Sequence, residues 1–281
     1  MAQVRTVAAW TAIAWVAAVG AGVMGPTGAA WAQVPVKAQQ PSQDGRIVRG
    51  PEKDLGAGKV WTWVKLDGAG TPTAVGVDFT ETALNDLPAG NPALDEKIGM
   101  CCTGPEYALE LPAEATKLTP FQHVVVNWQP RGHEPVPIYG KPHFDFHFYM
   151  VSSAERTAIT ATGDDVAKCL APVPAEQMPE GYICPPMPVP QMGAHWLSKA
   201  APELAGGTFG ETFIYGSYDG KVTFYEPMVS KEFLETRPNV NKPIDQPKQY
   251  AKAGLYPTTY RVQYVEATKT YTVALEGLTQ R

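Results

Sequence analysis

"GKPHFDFHFY", residues 140–149, alternates polar and aromatic side chains. His143, Asp145 and His147 take one set of positions, and Phe144, Phe146 and Phe148 take the other. Successive side chains of a β-strand point to opposite faces. As a strand, this stretch therefore offers three phenylalanines to a core and three metal-competent groups to the other side. Burying three such groups without a metal or another partner is costly. The polar side is expected to line a cavity.

The surrounding segments read the same way. "KVWTWVKLD" (59–67), "TPTAVGVDFT" (71–80) and "FQHVVVNW" (121–128) are rich in β-branched and aromatic residues and predict strands. "GETFIYGSYDGKVTFYEPM" (210–228) holds two such runs joined at Asp219-Gly220, a hairpin signal. "YRVQYVEATKTYTVALEGL" (260–278) predicts a final strand pair. Short helices are expected at "ETALNDLP" (81–88), after the Ser152/Glu155 capping box and after Ser230, with a helix or turn at "HWLSKAAPEL" (195–204). The proline-rich run 171–192 predicts a long ordered loop. The 281-residue chain has 27 prolines and 26 glycines, which favours loops and short elements over long helices. The expected fold is mainly β, a sandwich or cupin-like barrel with a few short helices.

Residues 1–32 have the layout of a secretory signal peptide: a basic Arg5, an apolar run, and the small-x-small tripeptide Ala30-Trp31-Ala32. Residues 33–58 read as a polar, flexible leader, and 59–281 as one β-rich domain. The expected location is periplasmic or secreted, with no membrane association after cleavage. The formal net charge is −5 and there is no basic cluster, which argues against nucleic acid. Four cysteines, Cys101, Cys102, Cys169 and Cys184, suggest disulfide bonding in an exported protein. Either Cys101 and Cys102 each reach one of the other two, or Cys169 and Cys184 pair with each other.

The candidate centre is one divalent transition metal held by His143, His147, His195 and Glu226. Residues i and i+4 on a strand stand about 13 Å apart, so His143 and His147 reach one ion only at full stretch or on a bent strand. His195 in "MGAHW" follows Gly193, which lets the backbone approach closely. Glu226 sits in an otherwise apolar strand end and needs a partner. Asp145 and Glu211 are the alternative carboxylates. Zinc, iron, copper, nickel or manganese suits this donor set. Asp145 and Glu226 are also the candidate proton-moving acids. His123 and His133 read as ordinary structural histidines. Phe148, Tyr149, Trp196 and Tyr215 are the expected aromatic walls of the pocket. The sequence shows no cofactor fingerprint and no nucleophile–base motif.

"PHFDFHFYM", "GAHW" and "ETFIYGSYDGKVTFYEPM" resemble the motifs of an uncharacterised family of exported bacterial β-rich proteins. "TAVGVDFTETALNDLP" and the final strand pair fit the same resemblance, which covers about residues 59–280. It implies an exported β-rich domain with these polar residues clustered, and it implies no reaction. Two functions remain in view: a cupin-like metal-dependent oxygenase, lyase or hydrolase acting on a small organic molecule, or a non-catalytic metal- or ligand-binding module. Homo-oligomer formation is left open.

Overall fold

The computed structural model describes residues 45–90 and 104–281. The signal-peptide reading, Cys101 and Cys102 lie outside the described residues. In chain order the first strands are β1 (Ile47–Arg49), β2 (Lys53–Leu55), β3 (Gly58–Leu66) and β4 (Pro72–Thr80). Next come β5 (Glu106–Glu110), β6 (His123–Gln129), β7 (His143–Tyr149), β8 (Tyr182–Ile183), β9 (Ala194–Ser198), β10 (Glu211–Tyr218) and β11 (Lys221–Ser230). The last are β12 (Asn239–Pro243), β13 (Leu255–Tyr256), β14 (Thr259–Val265), β15 (Thr270–Glu276) and β16 (Thr279–Gln280). Among the described residues helices are few and short, and the fold is mainly β.

Two antiparallel sheets dominate. One runs β1-β3-β4-β15-β14-β12, with β2 also on β3, and the other runs β5-β6-β7-β11-β10-β9-β8. Neither closes on itself, so the two expected alternatives resolve to open sheets rather than a cupin-like barrel. One hydrophobic core joins them, drawing Val60, Val64 and Phe79 from the first sheet and Val124, Phe144, Phe146 and Phe148 from the second. Phe79 stacks on Phe146 at 6.0 Å and meets Phe144 at 5.9 Å.

Several local readings hold. The hairpin β10–β11 turns at Asp219-Gly220, with Tyr218 paired to Lys221. Ser152 and Glu155 close a full capping box on the helix Ser153–Thr157. Ser230 Oγ accepts the Phe233 N–H and caps Lys231–Glu235.

Other readings change. The leader 33–58 contains β1 and β2, and both pair with β3. Each is only three residues long, IVR and KDL, and an edge of β3 gives their backbone groups partners. The first part of "HWLSKAAPEL" lies in β9, because β10 offers it a strand edge, and only its second part holds a turn and the short 3₁₀ helix Pro202–Ala205. The proline-rich run carries β8 and a 3₁₀ turn at Ala175–Gln177. Cys169 and Cys184 are both free thiols and are not joined to each other.

Phe146 has no exposed surface and sits in the core shared by the two sheets. Phe146→Ala is expected to lower unfolding free energy by about 3–5 kcal/mol in a denaturant titration. His123 is buried against Tyr149, their rings stacked 5.0 Å apart. Burial, aided by the Arg156 charge, lowers its pKa from 6.5 to about 4. The unfolded chain therefore binds more protons between pH 6.5 and 4. The His123 contribution is complete above pH 6.5 and is lost as pH falls toward 4. Its slope is at most about 1.4 kcal/mol per pH unit. His123→Phe should flatten the acid limb of the stability–pH curve in that window, whereas an unchanged limb would exclude His123 as its source.

Candidate metal centre

The polar face of β7 is as buried as its phenylalanine face: His143 and His147 have no exposed surface and Asp145 has 2%. It looks away from the intersheet core, onto the outer side of the second sheet. Two small apolar clusters flank it. One contains Tyr139, Leu197, Ile214 and Met228, and the other contains Val125, Tyr149, Met192 and Phe224. The proline-rich loop lies over the second cluster, where the Tyr149 hydroxyl donates to the Gln191 carbonyl at 3.2 Å. Between loops and sheet is a cavity of about 230 Å³, lined by His133, Asp145, His147, His195 and Glu226 among others. Its apolar lining comes from Tyr139, Met187, Val189, Met192, Ile214 and Met228.

Strand register assembles the first group. Tyr225 pairs with Phe148 and Met228 with Asp145, which sets Glu226 opposite His147. His195 lies one strand further out, paired with Gly216, which is itself paired with Phe224. Gly216 has no side chain, and the Phe224 ring lies where a Cβ would stand. His195 thus packs 5.3 Å from the Phe224 ring and reaches Glu226. His147 Nε2 is 3.4 Å from Glu226 Oε1, and His195 Nε2 is 3.6 Å from Glu226 Oε2.

These distances discriminate. A charge-assisted N–H···O bond would be about 2.7–2.9 Å. Two ligands around a tetrahedral ion, with bonds of about 2.1 Å, stand about 3.4 Å apart. Both ring nitrogens of His147 are buried and lack a hydrogen-bond partner. Burial holds His147 down to about pKa 3 and His195 down to about 4, with the His133 charge adding to the fall at both. Both rings are therefore neutral at pH 7, the form that ligates a metal.

A second group lies beside the first on the same sheet face. His143 Nε2 is 3.0 Å from Asp145 Oδ1, and His133 Nε2 is 3.7 Å from Asp145 Oδ2. Gln129, opposite His143 on β6, donates to Asp145 Oδ2 at 3.1 Å. Burial alone would raise the Asp145 pKa, but the His143 charge and the contacts of both histidines outweigh it and hold the carboxyl well below its usual range.

Of the residues expected from sequence, His147, His195 and Glu226 come together. His143 and Asp145 come together separately, with His133. Glu211 is elsewhere: its carboxylate takes the Tyr260 hydroxyl and an ion pair with Lys242. The expected aromatic walls are also elsewhere. Phe148 and Tyr215 belong to the intersheet core, and Trp196, one residue out of phase with His195, bonds Ser217 Oγ at 2.8 Å. Tyr149 backs His147 from below, its ring stacked at 5.7 Å. The sequence alone marks His133 as an ordinary structural histidine, and the structure corrects this. Its signal was the preceding glycine: Gly132 (φ 73) repeats what Gly193 (φ 95) does before His195. At both, an added Cβ would strike a carbonyl oxygen, of Tyr139 at 2.0 Å and of Ser217 at 2.2 Å. Gly193 brings its histidine-bearing segment against β10, and Gly132 brings its own against the 139–141 turn.

A family model described as TTHB210-like, hypothetical protein TTHB210, matches residues 67–128. The matched segment runs through β4 and β5 into β6, and it contains none of the six clustered residues. That family is itself described only as hypothetical, in keeping with the resemblance to an uncharacterised one. No curated protein and no solved structure matches the chain.

Proposed function

We propose that this is an exported metal-dependent enzyme acting on a small organic molecule, with one divalent transition ion held by His147, His195 and Glu226. The observation that carries the proposal is His147. It is a fully buried imidazole with two unpartnered ring nitrogens, one of them at a ligand–ligand distance from a buried carboxylate. Leaving a buried polar atom unsatisfied costs about 1–3 kcal/mol, and a bound ion removes that cost at Nε2.

Two nitrogens and one carboxylate suit zinc, iron, nickel, copper or manganese better than magnesium or calcium. Three protein ligands leave coordination positions for a substrate, as catalytic sites do and sealed structural sites do not. The adjoining cavity is apolar with a few convergent polar groups, the make-up of a small-molecule pocket. A bound ion would supply Lewis acidity or an oxygen-activating centre, according to its identity. Phe224 packs against both imidazoles, at 5.0 Å from the His147 ring and 5.3 Å from the His195 ring, and the two imidazoles meet edge-on at 6.3 Å. The stacked Tyr149 ring fixes the plane of His147.

Untagged protein loaded with cobalt(II) is expected to show visible bands that shift on addition of azide, as an open position requires. Bands indifferent to every small anion would indicate a sealed site and replace the enzyme reading with a binding module. His195→Ala combined with Glu226→Gln should remove one equivalent of metal by elemental analysis, and full retention would overturn the ligand assignment. Export rests on Arg5, the apolar run and Ala30-Trp31-Ala32. Protein from its native host is expected to begin at Gln33, and a Met1 start in a membrane fraction would refute export.

A further inference from the structure

We infer that the same cavity holds a second ion, bound by His133, His143 and Asp145. This rests on the reading of the cavity as a metal centre but on a different set of atoms.

The argument begins with protons. His143 Nδ1 lies 2.7 Å from the Lys141 carbonyl oxygen, and His133 Nδ1 lies 2.7 Å from the Glu134 carbonyl oxygen. A carbonyl can only accept, so each Nδ1 carries the hydrogen. In the neutral ring, each Nε2 then presents a lone pair, and both lone pairs are turned toward the Asp145 carboxylate. At His143 this brings two acceptors to 3.0 Å without the geometry of a hydrogen bond, and neither His143 Nε2 nor Asp145 Oδ1 has another hydrogen-bond partner. Facing lone pairs inside a protein repel strongly unless positive charge stands between them. A proton on Nε2 would also supply positive charge, but without the alignment of a hydrogen bond it would leave Nε2 and Oδ1 buried and unsatisfied, whereas one ion satisfies both.

A metal ion meets the requirement. The distances from Asp145 to the two histidines, 3.0 and 3.7 Å, bracket the roughly 3.4 Å expected between ligands of one ion. The outer contacts are those of a ligand set. Metal-binding histidines characteristically donate their other N–H to a backbone carbonyl, and ligating carboxylates are themselves hydrogen-bonded. Here the carbonyls are those of Lys141 and Glu134, and the carboxylate's donor is Gln129. Nothing comparable surrounds Glu211, a buried acid outside the cluster, whose partners are a lysine and a tyrosine.

One ion cannot serve both groups. His143 and His147 are four residues apart on a strand that pairs residue for residue with β6, which separates their Cα atoms by about 13 Å. Each turns to its own carboxylate, His143 to Asp145 and His147 to Glu226. The inference assigns Asp145 the part of a ligand, in place of the proton carrier expected from the sequence. A 2-His-1-Asp donor set again selects a borderline transition ion such as zinc, manganese, nickel or iron(II).

The test is a zinc titration of metal-free full-length protein by calorimetry, with bound metal verified by elemental analysis. Wild type is expected to take two equivalents. His143→Gln and Asp145→Asn should each leave one, and His195→Ala with Glu226→Gln should leave the other one. Gln129→Leu should weaken only the equivalent lost in His143→Gln, by about 10- to 100-fold. Circular dichroism of each metal-free variant identifies any that fails to fold. Asp145→Asn, nearly unchanged in volume, serves if His143→Gln does not fold. A wild type that takes one equivalent, retained in Asp145→Asn, overturns the second site and leaves the proposed one standing. One equivalent lost in both variant sets means a single shared ion and also overturns the inference. Two equivalents that survive His143→Gln and Asp145→Asn refute these ligands. No binding at all refutes both sites.

Discussion

The arrangement depends on burying a polar row on the outer face of an open β-sheet. Residues 143–149 must place Phe144, Phe146 and Phe148 between the two sheets, where Phe144 and Phe146 meet Phe79, Phe144 meets Trp128 and Phe148 meets Phe121. The two-residue period of a strand then leaves no choice about the other face. His143, Asp145 and His147 point outward, yet loops and neighbouring strands cover them completely. Buried polar groups need partners, so the rest of the outer face is organised around supplying them.

The supply comes from both sides of β7. On one side, β6 brings Gln129 opposite His143 and Asn127 opposite Asp145. On the other, β11 brings Glu226 opposite His147, and β9 extends the row with His195. Apolar clusters at each end keep water from the row, which strengthens every charge interaction inside it. The proline-rich loop and the 131–140 turn complete the cover. Prolines suit a cover that must hold its shape without a hydrogen-bonded ladder of its own, because their φ is already restricted.

Several outer-face features make sense only as parts of this cover. Gly132 and Gly193 adopt positive φ where a side chain would strike backbone. Gly216 leaves room for the Phe224 ring, which in turn packs against the imidazoles of both His147 and His195. The remainder of the molecule supports the site more remotely. The first sheet contributes half of the core but none of the cavity lining. Glu211 belongs to a separate polar contact with Lys242 and Tyr260, and that contact ties the start of β10 to β12 and β14 on the first sheet.

Local pattern was enough to read most strands, the hairpin at Asp219-Gly220, both serine caps and the two faces of residues 143–149. Those features follow from side-chain period, turn chemistry and capping, which act over a few residues. The isolation of Glu226 in an apolar run, and the glycine before His195, were legible for the same reason. The grouping of ligands was not. Whether Glu226 or Glu211 meets a histidine depends on the β7–β11 register. Whether His143 joins His147 or His133 depends on a loop folding back over the sheet. The strand character of Ile47–Arg49 and of Ala194–Ser198 also came from outside, from partner edges supplied by β3 and β10. By itself, then, the sequence determined which side chains share a face and which must be buried. Only the tertiary structure decided which of them meet, because strand pairing and loop closure join residues whose separation along the chain carries no local signal.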